Sequence, residues 1–327
     1  MNRCYGGYLK DLQIHGQAAS GGMATGMAQQ MLQKSGVVYG VVFAKDFRQV
    51  HWLRATEAGQ LMLLQGSKYV KSEPTLGVDG GSVYSAVIQD LRSDTPVLFI
   101  GLPCEVGVLR HRCEKEAVDT QKLLTVDLIC QGPPDSGVLN AFVEGLEKKY
   151  HSRVVQMSMR YKKDAQDTPY MYVVFDNGKE YLEKLQKTQF WTAFNQMPML
   201  SCYQCRFKGE GHLSDVTIGD HWALTPDSPE YHPLGVSVAF VHSAKGDRFL
   251  QACQTLHLFD TDADQARKAN PRYDTSVRRW KQNDVFRANF QKGGLNYACR
   301  KHNTLRRSVS KWIPKSLVEK IKRLIRR

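Results

Sequence analysis

The sequence predicts an α/β protein, with α+β elements in its second half, in which helices flank a mixed sheet. Two short apolar runs, at residues 97–100 and 123–130, are each followed by a turn and a helix-like segment. That alternation is typical of parallel strands joined by helices. Farther along, runs at residues 153–161 and 170–181 have the pattern of antiparallel strands, and an Asp-Asn-Gly turn lies within the second run.

The chain is long enough for one large domain or two ordinary ones, since it has 327 residues of which 42% are hydrophobic. We expect residues 1–150 to form an α/β half with cysteines at strand ends. Residues 151–300 then form a second half with the antiparallel strands and a Cys-X-X-Cys motif, and residues 301–327 form a basic tail. The sequence contains no apolar stretch of membrane-spanning length and begins without a signal-peptide core, so we expect a cytoplasmic protein.

The first predicted helix follows a glycine pair, with Ser20 as its expected N-cap and Gly36 at its end. Apolar runs at residues 37–44 and 49–55 then predict two strands of a hairpin. A short helix is expected to begin at Thr56.

The middle of the chain contains an amphipathic helix, because Val83, Val87 and Leu91 recur at a spacing of four. A helix is also expected after each central strand, and strands and helices continue through the second half. The predicted ranges are a helix after residue 104, helices at 136–149 and 184–195, a strand at 235–243, a helix at 244–256, and helical structure within 260–300.

Four of the eight cysteines lie at turns where separate loops could gather them. Cys104 follows a strand and a Gly-Leu-Pro turn, Cys130 ends a strand, and Cys202 and Cys205 form the Cys-X-X-Cys motif. In a reducing compartment, clustered cysteines are more often metal-binding or catalytic than disulfide-bonded. The pattern leaves an iron–sulfur cluster, a zinc ion, a redox disulfide and ordinary buried thiols as alternatives.

A second candidate site is the stretch Ser20-Gly21-Gly22 before the first helix. Glycines at this place let backbone N–H groups approach a phosphate, and the helix dipole favours an anion. The stretch matches neither the dinucleotide-binding fingerprint nor the Walker pattern, so a simple turn is the alternative. Lys68 and Tyr69 add a cation and a ring that could meet a phosphate or a flavin, or could simply end a helix.

The net charge of +13 is concentrated in the tail. Residues 301–327 contain ten Lys and Arg and one acid, which leaves the first 300 residues with a net charge of only +4. We therefore expect no nucleic-acid partner. In the stretch 315–327, apolar residues at helical spacing oppose Lys and Arg, which predicts either a helix lying on the anionic inner face of the membrane or a helix docked on the protein.

Five ordered blocks of the sequence resemble the coenzyme F420 hydrogenase/dehydrogenase beta-subunit family. The blocks are SGG (20–22), GSKYVKS (66–72), VLFIGLPCEVGVLR (97–110), TVDLICQGPPDSGV (125–138) and SCYQCRFK…SDVTIGDHW (201–222). Members of the family bind FAD and a 4Fe-4S cluster. They pass electrons between the cluster, the flavin and a second carrier or substrate, and bacterial members also occur in polysaccharide-assembly settings.

The resemblance implies an iron–sulfur flavoprotein oxidoreductase that takes electrons from a redox partner protein or ferredoxin. It assigns the iron ligands to Cys104, Cys130, Cys202 and Cys205. It also implies an FAD site that comprises Ser20, Gly21, Gly22, Thr25, Ser67, Lys68, Tyr69, Asp215 and Asp220. In that site the two aspartates would hold the cluster loop or a ribose; the alternative is that each simply caps a turn.

The sequence also departs from the family pattern in three ways. It lacks the ferredoxin-like N-terminal segment of many members, Glu105 replaces a glutamine, and Gln131 replaces a histidine that could move protons. These departures keep open the alternative of a catalytically degenerate structural or interaction member of a glycan-assembly system. A separate alternative, from the cysteines and the basic tail, is a zinc-stapled binding protein.

Overall fold

The fold is that of a computed structural model, which describes residues 3–77, 80–163 and 169–312, with side chains to residue 304. The strands within these ranges are β1 (Cys4–Leu9), β2 (Val37–Phe43), β3 (Val50–Ala55), β4 (Val97–Gly101), β5 (Leu123–Leu128), β6 (Val154–Tyr161), β7 (Tyr170–Phe175), β8 (Glu180–Lys184), β9 (Val216–Asp220), β10 (Ser237–Val241) and β11 (Leu256–Asp260).

The helices in the same ranges are α1 (Leu12–Gln17), α2 (Met23–Gln33), α3 (Ala58–Leu64), α4 (Val83–Arg92), α5 (Pro103–Lys115), α6 (Ser136–Tyr150), α7 (Gln189–Gln196), α8 (Ala244–Gln251), α9 (Ala263–Ala269) and α10 (Lys281–Trp312). The last of these is interrupted at Gly293 and Gly294, whose backbone angles are not helical. Short 3-10 turns lie at Leu185–Lys187, Leu200–Gln204 and Gly209–Gly211.

The larger sheet in the described chain has eight strands in the order β11-β1-β10-β9-β5-β4-β2-β3. Strands β2, β4, β5 and β9 are parallel, and the strands at both sides of this group pair antiparallel. The predicted α/β class with a mixed sheet flanked by helices is thereby confirmed. Strands from both sides of residue 150 join this sheet, while the predicted division there stays a prediction.

The central strand β4 is apolar along its whole length because both of its faces are covered. Val97 and Phe99 of β4 pack in a core with α4 and α5, whereas Leu98 between them packs in a second core with α2. Successive side chains of a strand point to opposite faces, so the continuous apolar run fits a strand covered on both sides.

A smaller, three-stranded antiparallel sheet, β6-β7-β8, packs against helices α6, α7 and α10 and shares a hydrophobic core with them. The Asp-Asn-Gly turn lies between β7 and β8 as predicted, and Gly178 there has a φ of 77°. Leu139, Phe175 and Phe190 lie in the core that joins this sheet to the helices.

Several boundaries differ from the sequence prediction. The N-cap of α2 is Gly22, and Ser20 does not cap it because its hydroxyl donates to the Val236 carbonyl 2.9 Å away. The region after residue 260 contains α9 and α10. Strands β1 and β11 and helix α1 have no counterpart in the prediction.

None of the described helices is long and apolar enough to cross a membrane. The amphipathic segment predicted at 315–327 lies outside the described residues.

Candidate functional site

A cavity of about 710 Å³ lies at the carboxyl ends of the parallel strands. Its walls include Gly101 at the end of β4, Leu128 at the end of β5, and Gly219 and Asp220 at the end of β9. Open α/β sheets bind ligands in the crevice outside the carboxyl ends of their strands. The volume is in the range of small-molecule and cofactor sites.

The N-terminus of α2 forms one wall of the cavity through Gly22, Met23, Ala24 and Thr25. Because the N-cap is a glycine, no side chain accepts from the N–H groups of the first turn. These donors and the positive end of the helix dipole can therefore bind an anion from the cavity. Ser20 is also in the lining.

Among the predicted FAD residues, all of which lie in the described ranges, Gly21 and Asp215 lie outside the cavity lining. Gly21 packs against backbone: a Cβ there would be 2.3 Å from the Gly7 carbonyl oxygen and 2.5 Å from the Ser237 nitrogen. Close backbone packing therefore requires glycine at this position.

Asp215 is buried in a polar network that stands apart from the cavity. Its carboxylate accepts from Arg110 at 2.9 Å, from the Thr125 amide at 2.8 Å and from Ser243 at 2.6 Å. These contacts tie β5, α5 and the start of α8 together. The predicted contribution of Asp215 to a cofactor site stays a prediction.

Ser67, Lys68 and Tyr69 line the cavity on the side of α3. The Lys68 ammonium is buried and donates to the last two carbonyls of that helix, those of Leu63 and Leu64, and to the carbonyls of Gln65 and Gly66 just beyond it. The cation therefore satisfies a helix C-terminus, as is favourable for a basic side chain there.

Tyr69 contributes to an aromatic part of the cavity wall. Its ring meets the rings of Trp191 and Phe194 edge-on, with centroid distances of 5.5 and 5.2 Å. The backbone of Tyr69 has a φ of 51°, an unusual value for a bulky residue.

A buried ion pair completes the polar part of the cavity. Arg160 on β6 donates to both carboxylate oxygens of Asp220, at 2.9 and 2.8 Å, and both residues are in the lining. Asp220 was among the predicted site residues, whereas Arg160 was not. Strand alternation offered no clear signal, because the pairing of β6 with β7 is irregular near Arg160 and the neighbouring Met159 is buried as well.

The four predicted iron ligands lie in one region of the molecule, beside the same cavity. Cys130 lies in the cavity wall, and a Cβ on Gly132 would be 2.9 Å from the Cβ of Cys202. The pKa of the Cys104 thiol is raised to about 11, chiefly by burial and in smaller part by the charges of Glu105, Cys202 and Cys205. Thiols that perturb one another in this way lie within electrostatic range.

Hydrogen bonds hold the Cys-X-X-Cys loop against the end of β5. The Lys208 ammonium donates to the carbonyl of Cys130 at 2.5 Å, and the Cys205 amide donates to the Ser276 hydroxyl at 3.0 Å. All eight cysteines lie in the described ranges, and all are free. Within those ranges no three His, Cys, Asp or Glu side chains are arranged so that they could hold a metal ion.

The two residues that depart from the family pattern are both engaged. Glu105 is buried, pairs with Lys71, and accepts from the Ser72 hydroxyl at 2.5 Å and from the Leu102 amide at 2.7 Å. Gln131 lies in the cavity wall and donates to the Asn195 side chain at 3.0 Å.

Two family models match the chain, and both describe the beta subunit of coenzyme F420 hydrogenase/dehydrogenase. The model for the N-terminal part of that protein matches residues 4–78, and the model for its C-terminal part matches residues 94–265. No curated protein matches the chain.

A solved structure has a similar fold: a chain of the xenon-derivatised F420-reducing [NiFe] hydrogenase complex from Methanosarcina barkeri. The TM-score is 0.54, the sequence identity is 17%, and the likeness covers 89% of this chain and 93% of that one.

Proposed function

The chain belongs to the coenzyme F420 hydrogenase/dehydrogenase beta-subunit family, and from that premise we propose that it is an iron–sulfur flavoprotein oxidoreductase. In this proposal it passes electrons between a 4Fe-4S cluster, FAD and a substrate or carrier. The observation that carries the proposal is the position of Cys130, which lies in the cavity wall and within electrostatic range of Cys104 and Cys202. A metal centre and a cofactor cavity would then share one wall.

The donor set fits an iron–sulfur cluster, because four cysteine thiolates are its usual ligands. Burial raises the pKa of both Cys130 and Cys202, and the Lys208 cation partly offsets that effect. The Gly132 amide also donates to the Cys130 sulfur at 3.3 Å. Cluster assembly would displace the thiol protons that burial favours. The loop would also have to adjust to bring the sulfur atoms to a common centre.

The cavity suits FAD because of its volume and because it has an anion-binding end and an aromatic end. The uncapped first turn of α2 would hold the diphosphate, and the aromatic wall around Tyr69 would hold the ring system. A bound flavin exchanges single electrons with a cluster and hydride with a substrate. Arg160, held by Asp220, would present a fixed cation to the polar part of the ligand.

The substrate of the proposed reaction is an electron donor or acceptor of the flavin. Because bacterial members of the family also occur in polysaccharide-assembly settings, we propose polysaccharide biosynthesis as the setting of the reaction. At position 131 the chain cannot transfer a proton as a histidine would, because the amide of Gln131 does not titrate.

Anaerobic purification, followed by an absorption spectrum and by iron, sulfide, zinc and flavin analysis, tests the proposal. We expect about four irons and one flavin per chain. Zinc in place of iron would support the zinc-stapled alternative. A colourless protein that also resists anaerobic reconstitution would support the degenerate alternative.

A pair of matched variants tests the ligand assignment itself. Cys205→Ser should abolish the cluster absorbance, because it removes one predicted ligand. Cys253→Ser should retain it, because Cys253 is buried just beyond α8 and its sulfur donates to the Phe249 carbonyl at 3.3 Å. Equal iron content in the two variants would refute the assignment.

A further inference from the structure

Two segments that are distant in sequence form one surface around the Cys-X-X-Cys loop. They are residues 198–211, which contain the motif, and residues 271–287. Besides the Cys205–Ser276 hydrogen bond, Lys208 donates to the Arg272 carbonyl at 2.5 Å, and Arg287 donates to the Pro198 carbonyl. We call this surface the CxxC face.

The CxxC face carries all of the excess positive charge of the first 300 residues. Those residues contain 35 Lys and Arg and 31 Asp and Glu. The two segments contribute seven basic residues and three acidic ones. What remains is 28 basic and 28 acidic residues, so the rest of the body is neutral.

Several of these cations are free to meet a partner. Arg206, Arg278 and Lys281 are exposed, and none of them has an ion pair among the residues that the structure describes. Exposed cations without a local partner attract a negatively charged surface over a distance of about 10 Å at moderate salt.

The same face exposes large apolar side chains beside the cations. Leu200 is 60% exposed, Trp280 is 50% exposed and Val285 is 41% exposed. The Arg278 guanidinium lies 4.1 Å from the centroid of the Trp280 ring. Tryptophan and arginine are among the residues that most often dominate binding energy at protein interfaces.

We propose that the CxxC face is the docking surface for a small acidic electron-carrier protein. The inference rests on the proposed function and adds the place and the chemistry of the electron donor. Acidic side chains of the carrier would meet the exposed cations, and its apolar centre would cover Trp280 and Leu200. The carrier would be oxidised by one electron, and a cluster held by Cys104, Cys130, Cys202 and Cys205 would accept that electron; no covalent bond is formed or broken.

The position of the face explains why the donor would dock there. Cys202 and Cys205 lie in its first segment, so a carrier seated on the face would be next to the predicted cluster. The cavity lining includes Cys130 but neither of those two cysteines. The cluster would therefore stand between the carrier and a flavin in the cavity, which is the order that electron transfer through the cluster requires.

The test uses the full chain and a reduced, acidic two-[4Fe-4S] ferredoxin as the probe. The variant is Arg278→Glu with Lys281→Glu, because both side chains are exposed and a glutamate at 281 lies in the first turn of α10, where acids are favourable. The matched control is Lys148→Glu with Lys149→Glu at the end of α6, which makes the same change in charge on exposed residues outside the face.

Calorimetric binding and the rate of electron transfer are measured at low and high salt. We expect the face variant to weaken ferredoxin binding about tenfold at low salt and to lose most of the salt dependence of the rate. The control variant should stay within about twofold of the parent protein. Equal binding by the two variants would overturn the proposal. It would also be overturned if the face variant lost binding to an RNA oligonucleotide or to anionic vesicles while ferredoxin binding was unchanged.

Failure of this inference and failure of the proposed function give different results. Reduction by dithionite reports the cluster whether or not a protein docks. A chain that bleaches with dithionite but ignores ferredoxin retains the proposed function and loses this surface. A chain that lacks iron yet binds ferredoxin through Arg278 and Lys281 retains this docking surface and loses the proposed function.

Discussion

Gly132 and Cys202 are in such close contact that a Cβ atom on the glycine would lie 2.9 Å from the Cβ of the cysteine. Gly132 also has a φ of 92°, which residues with a side chain rarely tolerate. The loop after β5 and the Cys-X-X-Cys loop therefore meet at a point where only glycine fits.

Gly132→Ala should displace the Cys-X-X-Cys loop and lower the iron content of the protein. The backbone strain alone is about 1–2 kcal/mol, and the contact with Cys202 adds to it. Iron analysis and urea denaturation measure the two effects. Gly178→Ala is the control, since its φ is 77° but a Cβ there meets open space. It should lose stability through strain while retaining iron, and an unchanged iron content in Gly132→Ala would contradict the expectation.

Asp220→Asn should destabilise the protein by about 3 kcal/mol, because it leaves the Arg160 cation buried without its partner. The side chains of the pair are only 7% and 16% exposed. The free energy of unfolding in urea measures the loss, and the double variant with Arg160→Met should recover part of it.

The control for this pair is Asp94→Asn, which removes an ion pair with Lys122 whose side chains are 86% and 45% exposed. Its expected effect is below about 1 kcal/mol. If Asp220→Asn and Asp94→Asn lowered the free energy of unfolding equally, burial would not make the Arg160–Asp220 pair more important for stability than an exposed pair.

His15 should make the fold less stable in mild acid. Its ring is fully buried, and its Nε2–H donates to the Gly235 carbonyl at 2.8 Å. Burial, with the Lys162 cation second, lowers its pKa from 6.5 to about 4. Between these two values the unfolded chain binds more protons than the folded one, so stability falls as pH falls.

Lowering the pH from 7 to 5 should therefore remove about 2 kcal/mol of stability through His15. His15→Gln retains a donor for the Gly235 carbonyl and does not titrate. Urea denaturation of both proteins at the two pH values isolates the contribution, since the other histidines are common to both. The same loss in both proteins would show that His15 is not responsible.

The sequence predicted the parts of the fold whose signal is local. Strand β4 is an apolar run between a proline and a glycine turn, and the Asp-Asn-Gly hairpin has its own turn chemistry. Strands β1 and β11 were missed because Gly6 and Gly7 suggest a turn. The two strands pair with each other, and the ring of Phe259 in β11 fills the space that a side chain at Gly6 in β1 would occupy. Neither strand is therefore recognisable from its own residues alone.

The sequence predicts only those residues of the candidate site that have a local signal. Motif residues such as Cys130 and Ser20 stand beside recognisable turns, so the sequence could single them out. Arg160 belongs to a different sheet from its partner Asp220, and only tertiary packing brings the two together. The CxxC face was hidden because its two segments are separated by about 60 residues of sequence, and the charge of the tail dominated the total.

The place of β1 in the large sheet has a consequence for synthesis on the ribosome. The strand lies between β10 and β11, so its first neighbour is complete only when residue 241 has left the exit tunnel and its second only when residue 260 has. Cys4–Leu9 is made first and pairs last, and loop closure over that distance slows folding. Until β10 emerges, β1 is therefore a strand without its sheet partners, and unpaired strand edges of this kind are what make nascent chains prone to aggregation.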